Sequence, residues 1–201
     1  MKKIFFPILI LAFLASCSAD GRTSADGTSG TVVAQANTVK LADYGRGREK
    51  PVMTELSSFS TEYGSEKTAR AKNIKLAAEL INDTVVPPNE TFSYNGTVGP
   101  TTKERGFARA RVFSGGKDSY GYGGGVCQVS STLFNAVTEA GLEVTERHPH
   151  SKKVYYVDEG KDAATSHGSI DFKFRNGLDA PVLIRARTED GKVTVGISKI
   201  S

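Results

Sequence analysis

The sequence predicts an α+β domain: a single unit with two main helices and a mostly antiparallel sheet, preceded by a signal peptide and a flexible tether. Three observations lead there. Two segments carry apolar residues at helical spacing, several short segments between turn residues read as strands, and no internal repeat is present. The first helix is expected from Thr68 to Asn82, where Ile74, Ala77, Ala78 and Ile81 share a face and Arg70, Lys72, Lys75 and Glu79 lie largely off it. Pro87-Pro88-Asn89 breaks the chain, and Thr91 to Tyr94 alternates as a short strand. Residues 95–125 are rich in glycine and polar groups, with a strand at Ala110–Phe113. The second helix runs from about Val126 to Ala140 on an apolar face of Val126, Val129, Leu133, Ala136, Val137 and Ala140, and Gly141 stops it. Strands are expected at Glu143–Arg147, Val154–Val157 and Ser169–Phe174. A hairpin then pairs Val182–Arg187 with Lys192–Ile197 across Glu189-Asp190-Gly191.

The N-terminus reads as an export signal. Lys2 and Lys3 precede an apolar run from Ile4 to Leu14, which is too short for a permanent span of roughly 20 residues. Leu14-Ala15-Ser16-Cys17 follows and resembles the lipobox of bacterial lipoproteins, in which the cysteine is cut free at its N-terminal side and acylated. Residues 1–16 are therefore expected to be a lipoprotein signal peptide, and 17–55 the lipidated N-terminus at Cys17 and a flexible linker; the folded domain is expected over 56–201. Within that linker, residues 18–37 are mostly Ser, Gly, Thr, Ala and Asp, too poor in apolar groups to offset the entropy of ordering. The expected place is a cell membrane, held by lipid and facing outside the cytoplasm.

Charge narrows the partners. The chain has 26 Lys+Arg against 22 Asp+Glu, and removing residues 1–16 with Lys2 and Lys3 leaves 24 − 22, or +2. Those charges are spread along the chain, so no basic stripe argues for nucleic acid. Nothing in the sequence points to a cofactor.

With Cys17 lipidated, Cys127 is the one remaining thiol, and it cannot close an internal disulfide. Gly121-Tyr122-Gly123-Gly124-Gly125-Val126-Cys127-Gln128 leads straight into the second helix, placing Cys127 in its first turn. Unpaired N–H groups and the helix dipole there favour a thiolate. Gly123, Gly124 and Gly125 are expected to let a substrate approach the backbone, and Gln128 and nearby N–H groups to stabilise an oxyanion. The competing reading is a packed cysteine after a plain turn. A thiolate nucleophile needs a base and the base an orienter. Of the three histidines, His150 and His148 flank Pro149 and face one side of an extended segment. His150 is placed first and His148 second, with Asp171 or Asp162 as orienter, and Arg147 is a candidate for holding a substrate carboxylate. A zinc site made from these histidines is the less favoured alternative, since no second cysteine or tight ligand cluster supports it; no metal is expected.

At these residues the chain resembles the VanW family. The resemblance covers roughly residues 56–197 and is carried by Arg70-Ala71-Lys72-Asn73-Ile74, Phe92-Ser93-Tyr94-Asn95 and Gly123-Gly124-Gly125-Val126-Cys127-Gln128-Val129-Ser130-Ser131-Thr132-Leu133-Phe134-Asn135-Ala136. Glu146-Arg147-His148-Pro149-His150-Ser151, Asp162-Ala163 and Asp171-Phe172-Lys173-Phe174-Arg175-Asn176 continue it. Pro88-Asn89-Glu90 and Ala164-Thr165 depart from the family's usual Pro-Gly-Glu and Thr-Val. The resemblance implies an envelope protein, with peptidoglycan or a cell-wall peptide as the partner and a link to glycopeptide resistance. Two classes stay open. One is a module that binds a wall fragment through Gln128, Asn135, Arg147 and the glycine N–H groups. The other is a Cys/His-dependent peptidase or transpeptidase-like enzyme using Cys127.

Overall fold

The computed structural model describes residues 37–47, 50–66, 68–114 and 117–201. The signal peptide, the lipobox and nearly all of the tether expected at residues 18–37 lie outside the described residues. In chain order the elements are β1 (Val39–Lys40), α1 (Leu41–Tyr44), β2 (Met53–Glu62), α2 (Ala69–Ile81), β3 (Thr84–Val86), β4 (Thr91–Ser93), α3 (Tyr94–Val98), β5 (Arg109–Ser114), β6 (Lys117–Tyr122), α4 (Val126–Glu139), β7 (Glu143–Glu146), β8 (Lys173–Arg175), β9 (Val182–Glu189) and β10 (Lys192–Ile200). Every strand pairing is antiparallel, so the fold is α+β as the sequence indicates.

The main sheet has the order β1-β3-β9-β10-β2. Its centre is the expected hairpin, extended at both strand ends, with Asp190 at φ 49° and Gly191 at φ 71° in the turn. Alternation sets its two faces. Val182, Ile184 and Ala186 of β9 and Val193, Val195 and Ile197 of β10 join the main core with α2 and α4, while Leu183 and Ile200 join Val85 in a small second cluster closed by Leu41, Tyr44 and Met53. A smaller sheet, β4-β8-β7, adds Phe92 and Phe174, whose rings stack with centroids 5.2 Å apart. A two-stranded ribbon, β5-β6, leads into α4.

Three expectations need correcting. The sheet takes in β1 and the start of β2, residues the sequence reading left in the linker before Leu56. Strand β2 escaped notice because it is an edge strand of Ser, Thr and Glu, whose buried side presents only Ser57, Phe59 and Thr61 to the helix layer. Val154–Val157 is not a strand; it lies in an irregular loop with no sheet partner. Of Ser169–Phe174 only the end becomes β8, because Ile170 folds back to bridge Ser166.

The two helices meet their expected ends to within a residue or two. Thr68 caps α2 by accepting from Ala71 N–H at 2.9 Å. Asn73, fully buried on α2, donates to Ala108 O and Gly124 O at 3.0 Å each and accepts from Ala108 N–H at 2.7 Å. That side chain ties the glycine turn to α2 and so fixes where α4 begins.

Candidate active site

Cys127 is the second residue of α4, behind Gly125, whose φ of 113° ends the turn. That conformation favours glycine, and a Cβ there would come within 3.0 Å of both Arg70 Cγ and Ile74 Cγ1. At Gly124 a Cβ would strike the Arg111 carbonyl oxygen. Gly123 and Gly124 are buried, so the three glycines serve close packing against α2 and the ribbon rather than line an open cleft. The Val126 N–H donates to Gly123 O and the Gln128 N–H to Gly125 O, both at 3.0 Å. Between them the Cys127 N–H has no such turn partner among the described residues, which leaves it as a donor at the helix start.

The thiol is partly buried. Its sulfur lies 3.4 Å from Thr165 O and 3.8 Å from Thr165 Oγ1, and the His150 imidazole is near enough to act on its charge. His150 Nδ1 is 2.6 Å from Asp162 Oδ2. An ionised carboxylate only accepts, so Nδ1 carries the proton. The same Asp162 oxygen takes the His150 backbone N–H at 2.6 Å, locking the residue at two points. Asp162 Oδ1 accepts from Arg147 Nη2 at 2.9 Å. Asp162 thus holds His150 and Arg147 in one hydrogen-bonded group, and His150 in turn acts on Cys127.

The electrostatics follow from these neighbours. Burial pushes the Cys127 thiol up, but the neighbouring His150, with its imidazolium charge, and Thr165 outweigh it and hold the thiol below its ordinary value. Burial likewise works to lower His150, and Cys127 and Asp162 overcome it, so the imidazole is raised. Both shifts favour a thiolate–imidazolium pair. Burial works to raise Asp162, and its bonds to His150 with the Arg147 charge keep it below the usual carboxylate range.

Buried polar side chains of α4 place the aspartate. Ser130 Oγ donates to Ala163 O at 2.6 Å, Ser131 Oγ accepts from Ala163 N–H at 2.9 Å, and Asn135 Nδ2 donates to Lys161 O at 2.7 Å. They grip the backbone on both sides of Asp162. An isolated bridge between His148 and Ala164 then sets the histidine segment beside it.

Several residues singled out in the sequence serve other ends. The His148 ring is taken up by Glu146, with Nε2 3.1 Å from Glu146 Oε1. The Asp171 carboxylate accepts from Ser93 Oγ at 2.6 Å and Asn95 N–H at 2.8 Å, which fastens α3 to the segment before β8; Asp162 has the orienting place. Gln128 is fully buried, donating to Thr61 Oγ1 at 3.0 Å and Glu62 O at 2.8 Å, so its side chain is not an oxyanion donor. Asn135 is a clamp, as described. Arg147 is spent on Asp162 and on Gly160 O, with its guanidinium 5.4 Å from the Phe134 ring centre, rather than held out for a ligand. Sequence reasoning missed Ser130, Ser131 and Thr165 as parts of this site. The signal for the serines was a polar run on a helix face that burial periodicity turns inward. Among the described residues no group of three or more His, Cys, Asp or Glu converges as a metal site requires.

Fold and site together define an α+β domain that carries a cysteine at the start of a buried helix and a hydrogen-bonded histidine–aspartate pair acting on it. The chain belongs to the VanW family: residues 69–198 match the family model described as VanW like protein. Residues 1–18 match the model of a prokaryotic membrane lipoprotein lipid attachment site, so the chain is a membrane-anchored lipoprotein. It is 45% identical over 141 residues to the uncharacterized protein YoaR of Bacillus subtilis, covering 70% of this chain and 46% of that one. It is 34% identical over 126 residues to the vancomycin B-type resistance protein VanW of Enterococcus faecalis, covering 60% and 46%. The chain therefore spans about half the length of the curated relatives it matches. No solved structure matches it.

Proposed function

We propose that this lipoprotein is a cysteine enzyme of the cell envelope that opens an amide bond of a wall peptide by acyl transfer. The observation that carries the reading is a thiol at the start of α4 under the influence of an imidazole that Asp162 holds by its ring and its backbone. The thiolate attacks the carbonyl carbon, and the Cys127 N–H is placed to stabilise the developing oxyanion. The C–N bond breaks, the His150 imidazolium gives its proton to the leaving amine, and a thioester remains on Cys127. Water or a second amine then attacks the thioester while His150 takes its proton, releasing the acyl product and restoring the thiolate. With water this is hydrolysis; with an amine it is transpeptidation. The name of one relative ties that protein to vancomycin resistance, and the lipid attachment site puts this chain at a membrane; both support an envelope peptide as substrate and an outward-facing domain. A purely binding role has less support, because Gln128, Asn135 and Arg147, the side chains it would use, are committed inside the protein.

The test is turnover of peptidoglycan stem peptides by the detergent-solubilised chain, with mass spectrometry of the Cys127 peptide to catch the thioester. Cys127→Ser is expected to lose turnover completely while its melting temperature stays nearly unchanged, since the swap is almost isosteric. A Ser variant that melts lower yet keeps full turnover per folded molecule would overturn the reading, for it would make Cys127 a packing residue in an apolar site. For the anchor, Cys17→Ala is expected to leave the chain unprocessed or free of membranes; a native N-terminus found unmodified at another residue counts against lipidation there.

A further inference from the structure

Arg70 is the second residue of α2, and none of the chemistry above uses it. Its stem rests on the turn into Cys127, where Gly125 is kept bare by it. Nη2 donates to Gln128 Oε1 at 2.7 Å, which holds the guanidinium beside the start of α4. Nε is buried and has no hydrogen-bond partner among the described residues. No ion pair joins Arg70 to an acidic side chain among the described residues; its one hydrogen-bonded partner, Gln128, is neutral. Two aromatic rings frame it instead: the Tyr155 centre is 5.7 Å and the Tyr156 centre 6.0 Å from Cζ. Burial and the Cys127 charge push the Tyr156 hydroxyl up, while the Arg70 charge works the other way. Tyr155 is 77% exposed, leaving this corner open to a ligand from solvent.

A half-buried guanidinium without an acid partner is a fork of donors with free capacity, and a carboxylate is the planar, two-oxygen group that fits it. We propose that Arg70, framed by Tyr155 and Tyr156, is the carboxylate-binding residue of the Cys127 site, so that the peptide it takes carries a free carboxylate close to the amide that is opened. This deepens, and rests on, the acyl-transfer reading by naming the substrate class. Arg70 acts here on substrate position and takes no proton in the reaction.

Alkylation of Cys127 by iodoacetate and by iodoacetamide separates the two ideas, because both reagents need only the thiolate and differ only in the carboxylate. At neutral pH Arg70→Gln, which keeps a side chain able to reach Gln128, is expected to lower the iodoacetate-to-iodoacetamide rate ratio by about tenfold, the scale of one partly screened charge pair. Arg70→Lys is expected to keep most of the ratio. The His150 charge favours iodoacetate equally in all three chains and cancels. In the unmodified chain, added acetate at constant ionic strength should slow iodoacetate and spare iodoacetamide, which tests the site even if the Gln variant fails to fold. An unchanged ratio in a Gln variant of native melting temperature, or equal effects of acetate on both reagents, overturns the proposal. If the ratio falls as expected while no wall peptide is turned over, the anion site stands and the acyl-transfer reading fails.

Discussion

Iodoacetamide will alkylate Cys127 at a pH where an ordinary thiol is still protonated, and the His150→Ala chain will not share that reactivity. The rate follows the thiolate fraction, which rises with pH through the thiol's pKa. In the folded chain that pKa lies below the ordinary value of about 8.5, because His150 and Thr165 outweigh burial. Removing the imidazole takes away the group that draws the thiol down and leaves the burial, which acts upward. The half-point of the profile must then move to higher pH, past the free-thiol value if burial prevails. His148 will not substitute, since its ring is held at Glu146. Turnover, which also needs the proton passed to and from His150, should fall by about 10²–10⁴-fold. His148→Ala is the matched control and should leave both the profile and the turnover close to those of the parent. A His150→Ala profile that overlays the parent's would remove the imidazole from the site.

What the sequence made legible, and what it hid, divides along physical lines. Helices α2 and α4 and the β9-β10 hairpin were readable because each carries its own periodicity and its own stop signals. Strand β2 was not, because an edge strand can be built from Ser, Thr and Glu when its neighbour supplies the apolar side. Val154–Val157 has strand-forming residues but finds no partner strand, and its tyrosines turn to Arg70 instead. The helix-terminal position of Cys127 follows from local glycine chemistry, so it could be placed from sequence. Which histidine and which aspartate meet it depends on contacts far apart along the chain. Alternation set His148 and His150 on one side, yet Glu146 draws one ring off while Asp162 holds the other. Asp171 was placed as an orienter, but nothing local could reveal that Ser93 and Asn95, 78 and 76 residues away, take up its carboxylate. The family's polar run on α4 was visible; that its serines grip Ala163 was not, since burial converts an apparent solvent face into a clamp.

Asp162→Asn should damage both function and stability, with opposite demands on pH that identify the cause. One carboxylate serves the His150 backbone, the His150 ring and Arg147, all within 2.9 Å. Asparagine keeps the shape and can accept from one or two of these, but it brings no charge to match Arg147 or an imidazolium. It can also present an N–H to Nδ1, which would turn the proton to Nε2 and face the thiol with a donor that cannot act as base. Turnover is therefore expected to drop by at least about a hundredfold, within the range for general acid–base catalysis, with the thiol's alkylation profile shifted up as in His150→Ala but by less. Stability at neutral pH should fall by about 1–3 kcal/mol, the usual worth of a buried hydrogen-bond acceptor bearing charge. The sign of the pH dependence is fixed by the direction of the Asp162 shift. A carboxylate lowered in the folded chain contributes stability that is present above its unfolded pKa of about 3.9 and is lost as pH falls through the folded value. The gap in melting temperature between parent and Asp162→Asn should thus be widest near neutral pH and close in acid. A gap that persists undiminished at a pH well below the carboxylate range would show that the substitution acts through packing, and that the charge of Asp162 does not hold this site together.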